Sequence, residues 1–260
     1  MKSKHSTKTP VFSIVVPCFN GAAYLEKTLK SLVNQRPRPQ IIFVDGCSTD
    51  NSLEIANSIL VDSDIIISEP DHGMYDAINK GFKLASGAYL AYLNTDDIYY
   101  SNTLRQVEEY FSSNPSVDLL YGDLAIINEY DKVKYIHKYP FFNKYLFERS
   151  SYSNIGQPAS FWRRQVFDAN IYFDSSLKMV GDFKFFIDVA NAGFEIKHVS
   201  LPLAKFRVHS FSLTSSQKYL NTNELLIIKK SIPFSIIGVF FVAIYRIYCQ
   251  LLNVNRILKL

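Results

Sequence analysis

The acidic side chains of the first hundred residues stand where apolar segments end, and this feature constrains the fold most. The run IIFV ends in Asp45, and the run AYLAYLNT ends in the adjacent acids Asp96 and Asp97. In α/β proteins the carboxyl ends of parallel strands form the ligand site. Adjacent carboxylates repel each other, and a divalent metal that carries a phosphorylated substrate would relieve that repulsion. The alternative is an ordinary solvated turn.

Apolar runs and helical patterns alternate along the first half of the chain, as in a parallel sheet with crossover helices. The pattern predicts strands at 11–17, 41–44, 65–68 and 88–93, and helices at 21–35, 51–60, 74–86 and 101–113. Periodicity is weaker afterwards. It predicts short strands at 119–121, 124–128 and 133–139, then loops that lead into helices at 156–167 and 180–196.

Composition limits the classes of function. With 260 residues, of which 48% are hydrophobic and 20% charged, the chain can bury one substantial core. The net charge of +4 is mild and the basic residues are spread out, so nucleic acid is not a predicted partner. Cys18, Cys47 and Cys249 form no metal or disulfide spacing, which fits a reducing cytoplasm. The polar start, MKSKHSTKTP, lacks the apolar core of a secretory signal, so a cytoplasmic location is expected.

The segment 231–252 is mostly apolar but is interrupted by Arg246 and Gln250. Its uninterrupted part is shorter than the about 20 apolar residues that a membrane span needs. Basic residues flank it on both sides, which favours a helix that lies in the headgroup layer of a membrane. A helix packed on the main core is the alternative.

Five segments together resemble the family 2 nucleotide-sugar glycosyltransferases, which have the GT-A fold: VVPCFNG, FVDGCSTDNS, DHGMYDAINKG, SGAYLAYLNTDD and GDFKFFIDV. The similarity is strongest to the bacterial branch that builds capsule, exopolysaccharide and O-antigen chains. It implies an α/β fold of GT-A type with a mixed, mainly parallel sheet, plus a C-terminal apolar helix. The implied domains are a polar tail (1–9), a glycosyltransferase domain (10–215, with a nucleotide-sugar half to 100 and an acceptor half after it) and a membrane-associating helical extension (216–260).

The resemblance assigns nucleotide-binding residues. Asp45 stands where the family reads the base, and a carboxylate can accept the imino N–H of uracil or guanine. Pro17 and Asn20 are expected to form the neighbouring wall of the base and ribose pocket, and Asp71 to make a further nucleotide contact. Lys80 is expected to supply positive charge near the phosphates, because the segment INKG lacks the arginine that many relatives have there.

The family's metal motif is of DxD type, and the segment NTDD departs from it by having Asn first. Because successive strand side chains point to opposite faces, the two acids are expected to differ in role. Asp97 is assigned to a divalent metal, Mn²⁺ or Mg²⁺, and Asp96 to the ribose or to the water shell of the metal. His209 is expected to complete the metal shell, and Arg207 to approach the diphosphate.

Asp182 matches the catalytic base of the family, which takes the proton of the acceptor hydroxyl. Its place at a helix start predicts a lowered pKa, and a simple N-cap role is the alternative. Gln157 and Trp162 lie in the segment that resembles the acceptor-side loop. An aromatic face can bind a sugar, but a core position is equally typical of a lone tryptophan.

The predicted function is that of a metal-dependent inverting glycosyltransferase of bacterial surface polysaccharide synthesis. It would move a sugar from a nucleoside-diphosphate sugar to a glycan acceptor, expected to be lipid-linked, at the inner face of the cytoplasmic membrane. Two alternatives stay open. A polyprenyl-phosphate sugar synthase would use a lipid phosphate as nucleophile and need no base, and a non-catalytic membrane scaffold would keep the fold alone.

Overall fold

The computed structural model of the chain describes residues 9–149, 153–210, 223–226, 228 and 236–253. Its strands are β1 (Phe12–Cys18), β2 (Gln40–Asp45), β3 (Ile65–Ser68), β4 (Tyr89–Tyr92), β5 (Ile98–Tyr99), β6 (Leu119–Ile127), β7 (Val133–His137), β8 (Ser160–Arg163) and β9 (Ile196–Arg207). Its helices are α1 (Ala22–Val33), α2 (Ser52–Ile59), α3 (Met74–Leu84), α4 (Thr103–Ser113), α5 (Lys144–Arg149), α6 (Arg164–Asp168), α7 (Gly181–Asn191) and α8 (Ile236–Leu252). Residues 157–159 form a 3₁₀ turn, and residues 223–226 are also helical.

One sheet connects these strands in the order β3-β2-β1-β4-β8-β6-β9-β5, with β7 added to β6. The strands β1 to β4 pair in parallel, and so do β6 and β9. The antiparallel strand β8 joins these two groups by pairing with β4 and β6. The predicted α/β architecture with a mixed, mainly parallel sheet is therefore confirmed.

Helices cover both faces of the sheet, so its central strands are buried on both sides, as parallel strands usually are. In β1, Ile14 and Val16 pack in a cluster with Leu25 of α1, while Val15 packs on the other face with Phe82 of α3. All seven residues of β1 are buried. The carboxyl ends of these strands are consequently held in fixed positions.

The second half differs from the sequence pattern in several places. The segments predicted as separate strands at 119–121 and 124–128 form the single strand β6. The strand continues through Asp123 because its carboxylate accepts a hydrogen bond from Tyr139 N (3.0 Å) and lies 2.9 Å from His198 Nε2. The segment 156–167, predicted as loop and helix, contains β8, and β9 was not predicted.

Helix α8 packs against α5 and presents two different faces. Tyr245 and Cys249 are buried. Its exposed apolar side chains include Ile244, Ile247 and Leu251, with exposed fractions of 48%, 57% and 63%. The spacing of three and seven residues places these three on one side of the helix.

A reciprocal pair of hydrogen bonds ties the end of α8 to the main domain. Asn253 Nδ2 donates to Lys138 O (2.9 Å), and Lys138 N donates to Asn253 Oδ1 (2.8 Å). Lys138 directly follows β7. Among the residues described above, no helix is both long and apolar enough to cross a membrane.

Candidate functional site

Asp45 ends β2 beside the last residue of β1, because Cys18 and Asp45 are partners in the parallel register. The residue is 1% exposed. Its Oδ2 atom accepts a hydrogen bond from Ser68 Oγ (2.6 Å), and both carboxylate oxygens lie within 3.2 Å of Ser48 N. These bonds fix the carboxylate at the strand end, and Oδ1, which among the described residues accepts only from Ser48 N, keeps a lone pair that a ligand N–H could use.

Asn20 joins the loop after β1 to the loop after β2. Its N–H donates to Ser48 Oγ and its Oδ1 accepts from Thr49 N, both at 2.8 Å. Its φ of 53° lies in the left-handed region, which asparagine tolerates better than most residues. Pro17 is buried within β1, whereas Phe19 is 68% exposed and offers an aromatic face that the sequence analysis missed.

Asp71 lies against the same strand end. Its Oδ1 accepts a hydrogen bond from Gly73 N (2.8 Å). A Cβ atom placed on Gly46 would lie 2.5 Å from Asp71 Oδ2, so the absence of a side chain there lets this carboxylate approach the residue after Asp45. The structure thus brings two of the predicted nucleotide-binding acids together.

Lys80 is engaged by the protein itself. Its Nζ atom lies 2.9 Å from Glu69 Oε1 and 3.6 Å from Asp76 Oδ2, and it donates to Pro70 O (2.8 Å). The hydrogen bond to Glu69 raises the pKa of Lys80. Because neighbouring carboxylates already balance this charge, the geometry does not support the predicted phosphate contact.

The turn after β4 separates its two acids. Asp96 is partly exposed, and its Oδ2 atom lies 3.0 Å from Nε2 of His209, which follows β9. Asp97 is 0% exposed, and its Oδ1 atom accepts a hydrogen bond from Arg207 N (3.1 Å). Burial and then the charge of Asp96 raise the pKa of Asp97 well above its ordinary value. The two acids differ in environment, because Asp97 is buried and the Asp96 side chain is 25% exposed, so Asp96, and not the predicted Asp97, is the carboxylate that a ligand could contact.

Arg207, like Asp97, is buried and supports the turn after β4. Its side chain is 0% exposed, with Nε donating to Asp96 O (2.9 Å) and Nη1 donating to Asn128 O (3.1 Å). Nη1 also lies 2.5 Å from Asp131 Oδ1, and the guanidinium stacks 4.4 Å above the ring centre of Tyr24. Because this guanidinium is buried, it is not placed for the predicted contact with a diphosphate. Arg207 instead holds the turn that carries Asp96.

Asp96 and His209 together fit a divalent cation. A carboxylate and an imidazole form a mixed donor pair that suits Mn²⁺ better than Mg²⁺, which prefers oxygen ligands. Within the described ranges, no group of three or more His, Cys, Asp or Glu side chains is arranged to hold a metal. Two protein ligands would leave the remaining positions of such an ion to phosphate oxygens and water.

A cavity of about 400 Å³ lies between the end of β4 and the start of α7. This volume is within the range of small-molecule sites. Polar groups reach into it from Asn94, Gln157, Lys178 and Asp182. The aromatic part of its wall consists of Tyr75, Tyr92, Tyr135, Tyr139 and Phe206.

Asp182 is the second residue of α7, and its carboxylate lines this cavity. Its Oδ1 atom accepts a hydrogen bond from Phe183 N (2.8 Å), and Asp182 N donates to Tyr75 Oη (3.3 Å). Burial nevertheless raises the pKa of Asp182 to about 6, so the predicted lowering by the helix start is wrong. Desolvation disfavours the carboxylate more than the local N–H groups favour it.

Gln157 and Trp162 occupy different environments, although both come from the predicted acceptor loop. Gln157 lines the cavity, where its Nε2 atom donates to Tyr92 O (3.0 Å). Trp162 is 1% exposed in β8, and its ring packs on Phe82 and Phe185 at centroid distances of 5.4 and 5.0 Å. The core position, which the sequence left open, is the one that the structure gives to Trp162.

Lys178 is a cavity residue that the sequence analysis did not single out. Its Nζ atom donates a short hydrogen bond to the carbonyl oxygen of His72, in the loop before α3. The loop of Asp71 and the loop before Asp182 are therefore in contact. The signal that could have identified Lys178 is its position four residues before Asp182.

Comparison with solved structures identifies the fold. TarS of S. aureus (residues 1–349, in complex with UDP-GlcNAc) superposes with a TM-score of 0.66 at 21% identity, over 84% of this chain and 65% of that one. The mannosyltransferase PcManGT of Pyrobaculum calidifontis, in complex with GDP-Man and Mn²⁺, gives 0.64 at 15% identity, over 97% and 73%. Identities this low establish the fold alone, which is the GT-A fold of glycosyltransferases.

Sequence comparison then gives the family. The family model for Glycosyl transferase family 2 matches residues 13–170, more than half of the chain. A PGL/p-HBAD biosynthesis glycosyltransferase of Mycobacterium bovis is 34% identical over 181 residues, which are 68% of each protein. TuaG of Bacillus subtilis, a putative teichuronic acid biosynthesis glycosyltransferase, is 32% identical over 105 residues, 39% of this chain and 42% of TuaG. The chain belongs to glycosyl transferase family 2, which confirms the predicted family, and its relatives include proteins named for PGL/p-HBAD and teichuronic acid biosynthesis.

Proposed function

We propose that the protein is an inverting glycosyltransferase that transfers a sugar from a nucleoside diphosphate to an acceptor hydroxyl. The observation that carries this proposal is that Asn94 and Asp182 line one cavity. Asn94 begins the turn that holds Asp96, and Asp182 begins α7. A single displacement needs its leaving group and its base on opposite sides of the same reacting carbon, and one cavity between these elements can meet that need.

The donor is a nucleoside-diphosphate sugar. The fixed carboxylates of Asp45 and Asp71, the loop locked by Asn20 and the exposed ring of Phe19 surround the ends of β1 and β2, where a base and ribose would bind. Asp45 would accept a base N–H, and Phe19 would cover an aromatic base. The complexes of TarS with UDP-GlcNAc and of PcManGT with GDP-Man support this donor class.

Asp96 and His209 would hold the divalent metal, and a bound metal would neutralise the charge that develops on the departing diphosphate. This assignment replaces the sequence-based choice of Asp97. Asp97 and Arg207 instead act as supports, because their buried hydrogen bonds join the turn after β4 to the end of β9. PcManGT, which binds Mn²⁺ together with GDP-Man, supports a metal-dependent reaction.

Asp182 acts as the base. With a pKa of about 6 it is mostly ionised at neutral pH, yet it is more basic than an ordinary aspartate. It takes the proton of the acceptor hydroxyl while the oxygen attacks C1 of the sugar and the bond from C1 to the diphosphate oxygen breaks. Gln157 and the tyrosines of the cavity wall would contact the acceptor.

The acceptor is lipid-linked, and the enzyme is peripheral at the inner face of the cytoplasmic membrane. The exposed apolar side of α8, with Ile247 and Leu251, supports an interfacial position. The bonded pair of Asn253 and Lys138 fixes the end of α8 one residue away from His137, whose side chain lines the cavity. A membrane-bound α8 would therefore hold the cavity near the surface where a lipid-linked glycan is found.

Calorimetric titration of the protein with UDP, GDP, dTDP and CMP, with Mn²⁺ or with chelator, tests the proposal. We expect one nucleoside diphosphate to bind only when Mn²⁺ is present. The variant Asp96→Ala should lose this binding, and Glu109→Gln, an exposed position on α4, should keep it. Failure of every nucleotide to bind to the folded protein would overturn the enzyme proposal and favour the scaffold.

A polyprenyl-phosphate sugar synthase is the second candidate, because Lys178 is among the residues that line the cavity and a lysine ammonium group suits a phosphate nucleophile. Such an enzyme needs no base. The proposed hydroxyl transfer predicts that Asp182→Asn lowers turnover by about 10²- to 10⁴-fold, the usual contribution of a general base. Retention of most activity in this variant would favour the synthase.

A further inference from the structure

Glu224 lies in the C-terminal part of the chain, and its side chain contacts the loop that precedes α7. Its side chain is buried, with 8% of the residue exposed. Oε1 accepts a hydrogen bond from Lys178 N (2.7 Å), and Oε2 accepts from Met179 N (2.9 Å) and Val180 N (3.1 Å). Three consecutive backbone N–H groups thus point at one carboxylate that is 44 to 46 positions away in sequence.

We propose that Glu224 is a positioning residue for the catalytic base, and this inference rests on the proposed role of Asp182. Val180 immediately precedes α7, and Asp182 is the second residue of the helix. Hydrogen bonds from N–H groups to a carboxylate are stronger than those to a neutral acceptor. A carboxylate held in this way fixes the backbone from which the first turn of α7 starts.

The clamped loop is part of the reaction cavity. Lys178, Met179 and Asp182 all line it, so a shift of this loop would move both the wall and the base. Lys178 Nζ also donates to His72 O, which extends the same support towards the nucleotide side. The helical residues 223–226 therefore complete the site, although the sequence-based boundaries assign them to an extension.

The requirement for a carboxylate follows from the geometry. A glutamine in place of Glu224 has one acceptor oxygen, and its NH₂ group would face an N–H group of Met179, Val180 or Lys178. An aspartate keeps both oxygens but is one methylene shorter. Both changes should loosen the loop without removing a residue that contacts nucleotide or metal.

The full-length variants Glu224→Gln and Glu224→Asp test the proposal, with Glu109→Gln as the control. Nucleotide binding is measured by calorimetry with Mn²⁺, and turnover is measured as nucleoside diphosphate released from the matching donor sugar. We expect both Glu224 variants to keep the Kd of the nucleotide within about twofold and to lose about 10- to 100-fold in kcat, since small displacements of a reacting group have effects of this size. Their activity should also extend to lower pH, because a loosened Asp182 is better hydrated and its pKa falls from about 6.

A double-mutant cycle separates positioning from general stability. In an Asp182→Asn background, Glu224→Gln should cost almost no further activity, because the group that it positions is already gone. An equal loss in both backgrounds, or an unchanged kcat and pH profile in the folded Glu224 variants, would overturn the proposal. If the glutamine variant does not fold, the aspartate variant carries the same measurements. Absence of nucleotide binding in the wild-type protein would instead refute the proposed function.

Discussion

Replacing Asp182 with asparagine removes a charge that the folded protein holds at a cost. Burial raises the pKa of Asp182 from 3.8 to about 6. At about 1.4 kcal/mol for each tenfold change in proton affinity, this difference corresponds to about 3 kcal/mol. Partial exposure to the cavity lets solvent screen the charge, so we expect asparagine to raise the free energy of unfolding by about 1 to 3 kcal/mol at pH 7.5.

The size of the effect depends on pH. Between pH 3.8 and about 6 the folded wild-type protein binds more protons than the unfolded chain, so its stability falls as pH rises. The cost of the carboxylate is fully present above this window and absent below it. The advantage of the variant should therefore grow from almost nothing near pH 4 to its full size above pH 7. Wild-type turnover should fall as the pH is lowered through about 6, because Asp182 is then protonated and can no longer act as a base.

Urea unfolding at several pH values measures this difference, and the midpoint and slope give the free energy of unfolding. The fluorescence of Trp162 is a suitable probe, because it is the single tryptophan of the sequence and lies in the core. Asp188→Asn is the matched control. It lies on the same helix and loses a surface ion pair with Lys184 (2.6 Å), which should cost less than about 0.5 kcal/mol. A variant of Asp182 that is no more stable than wild type at pH 7.5, or equally more stable at pH 4, would refute the reasoning.

Three further changes test other parts of the structure. His209→Ala should weaken Mn²⁺-dependent nucleotide binding by at least about tenfold in calorimetry, because it removes one of the two proposed protein ligands, and unchanged binding would exclude His209 from the metal site. Gly181→Ala should lower the free energy of unfolding in urea by about 1 to 3 kcal/mol, because the added Cβ would lie 2.5 Å from the buried ring of Tyr75, and a neutral effect would show that this contact is not tight. Leu251→Glu should reduce flotation with vesicles that contain anionic lipid, because it places a charge on the exposed apolar side of α8. Equal flotation of variant and wild type would argue against that side as the membrane contact.

The first half of the fold follows local rules, which is why the sequence predicts it well. The strands β1 to β4 are mainly apolar runs followed by polar residues. The helices α1 to α3 alternate with them along the chain. The second half depends on distant contacts. Gly122 and Asp123 suggest a break within β6, but a Cβ on Gly122 would lie 2.6 Å from Leu201 O, so the glycine admits the neighbouring strand. Only the pairing of distant segments reveals this reason.

In the candidate site, too, some features follow from the local sequence and others depend on distant contacts. Asp45 ends β2, Asp71 follows β3 and Asp96 follows β4, so their place at the carboxyl edge of the parallel strands follows from strand order. The buried state of Arg207 and the raised pKa of Asp182 depend on what the rest of the chain packs around them. A sequence shows that an acid begins a helix, but it does not show how much water that acid loses. Trp162 is a similar case, because its ring is buried by residues from α3 and α7.

The path of β9 has a consequence for exchanging parts between relatives. This strand pairs with β6 in the proposed acceptor half, and it then pairs with β5 at Ile98 and Lys205 before the chain brings His209 to Asp96. A chimera that joins this chain to a relative after residue 100 would therefore import a foreign strand end into the proposed donor site. In recombination, a new acceptor preference and a new partner for Asp96 would be inherited together, so the two properties form one unit of exchange.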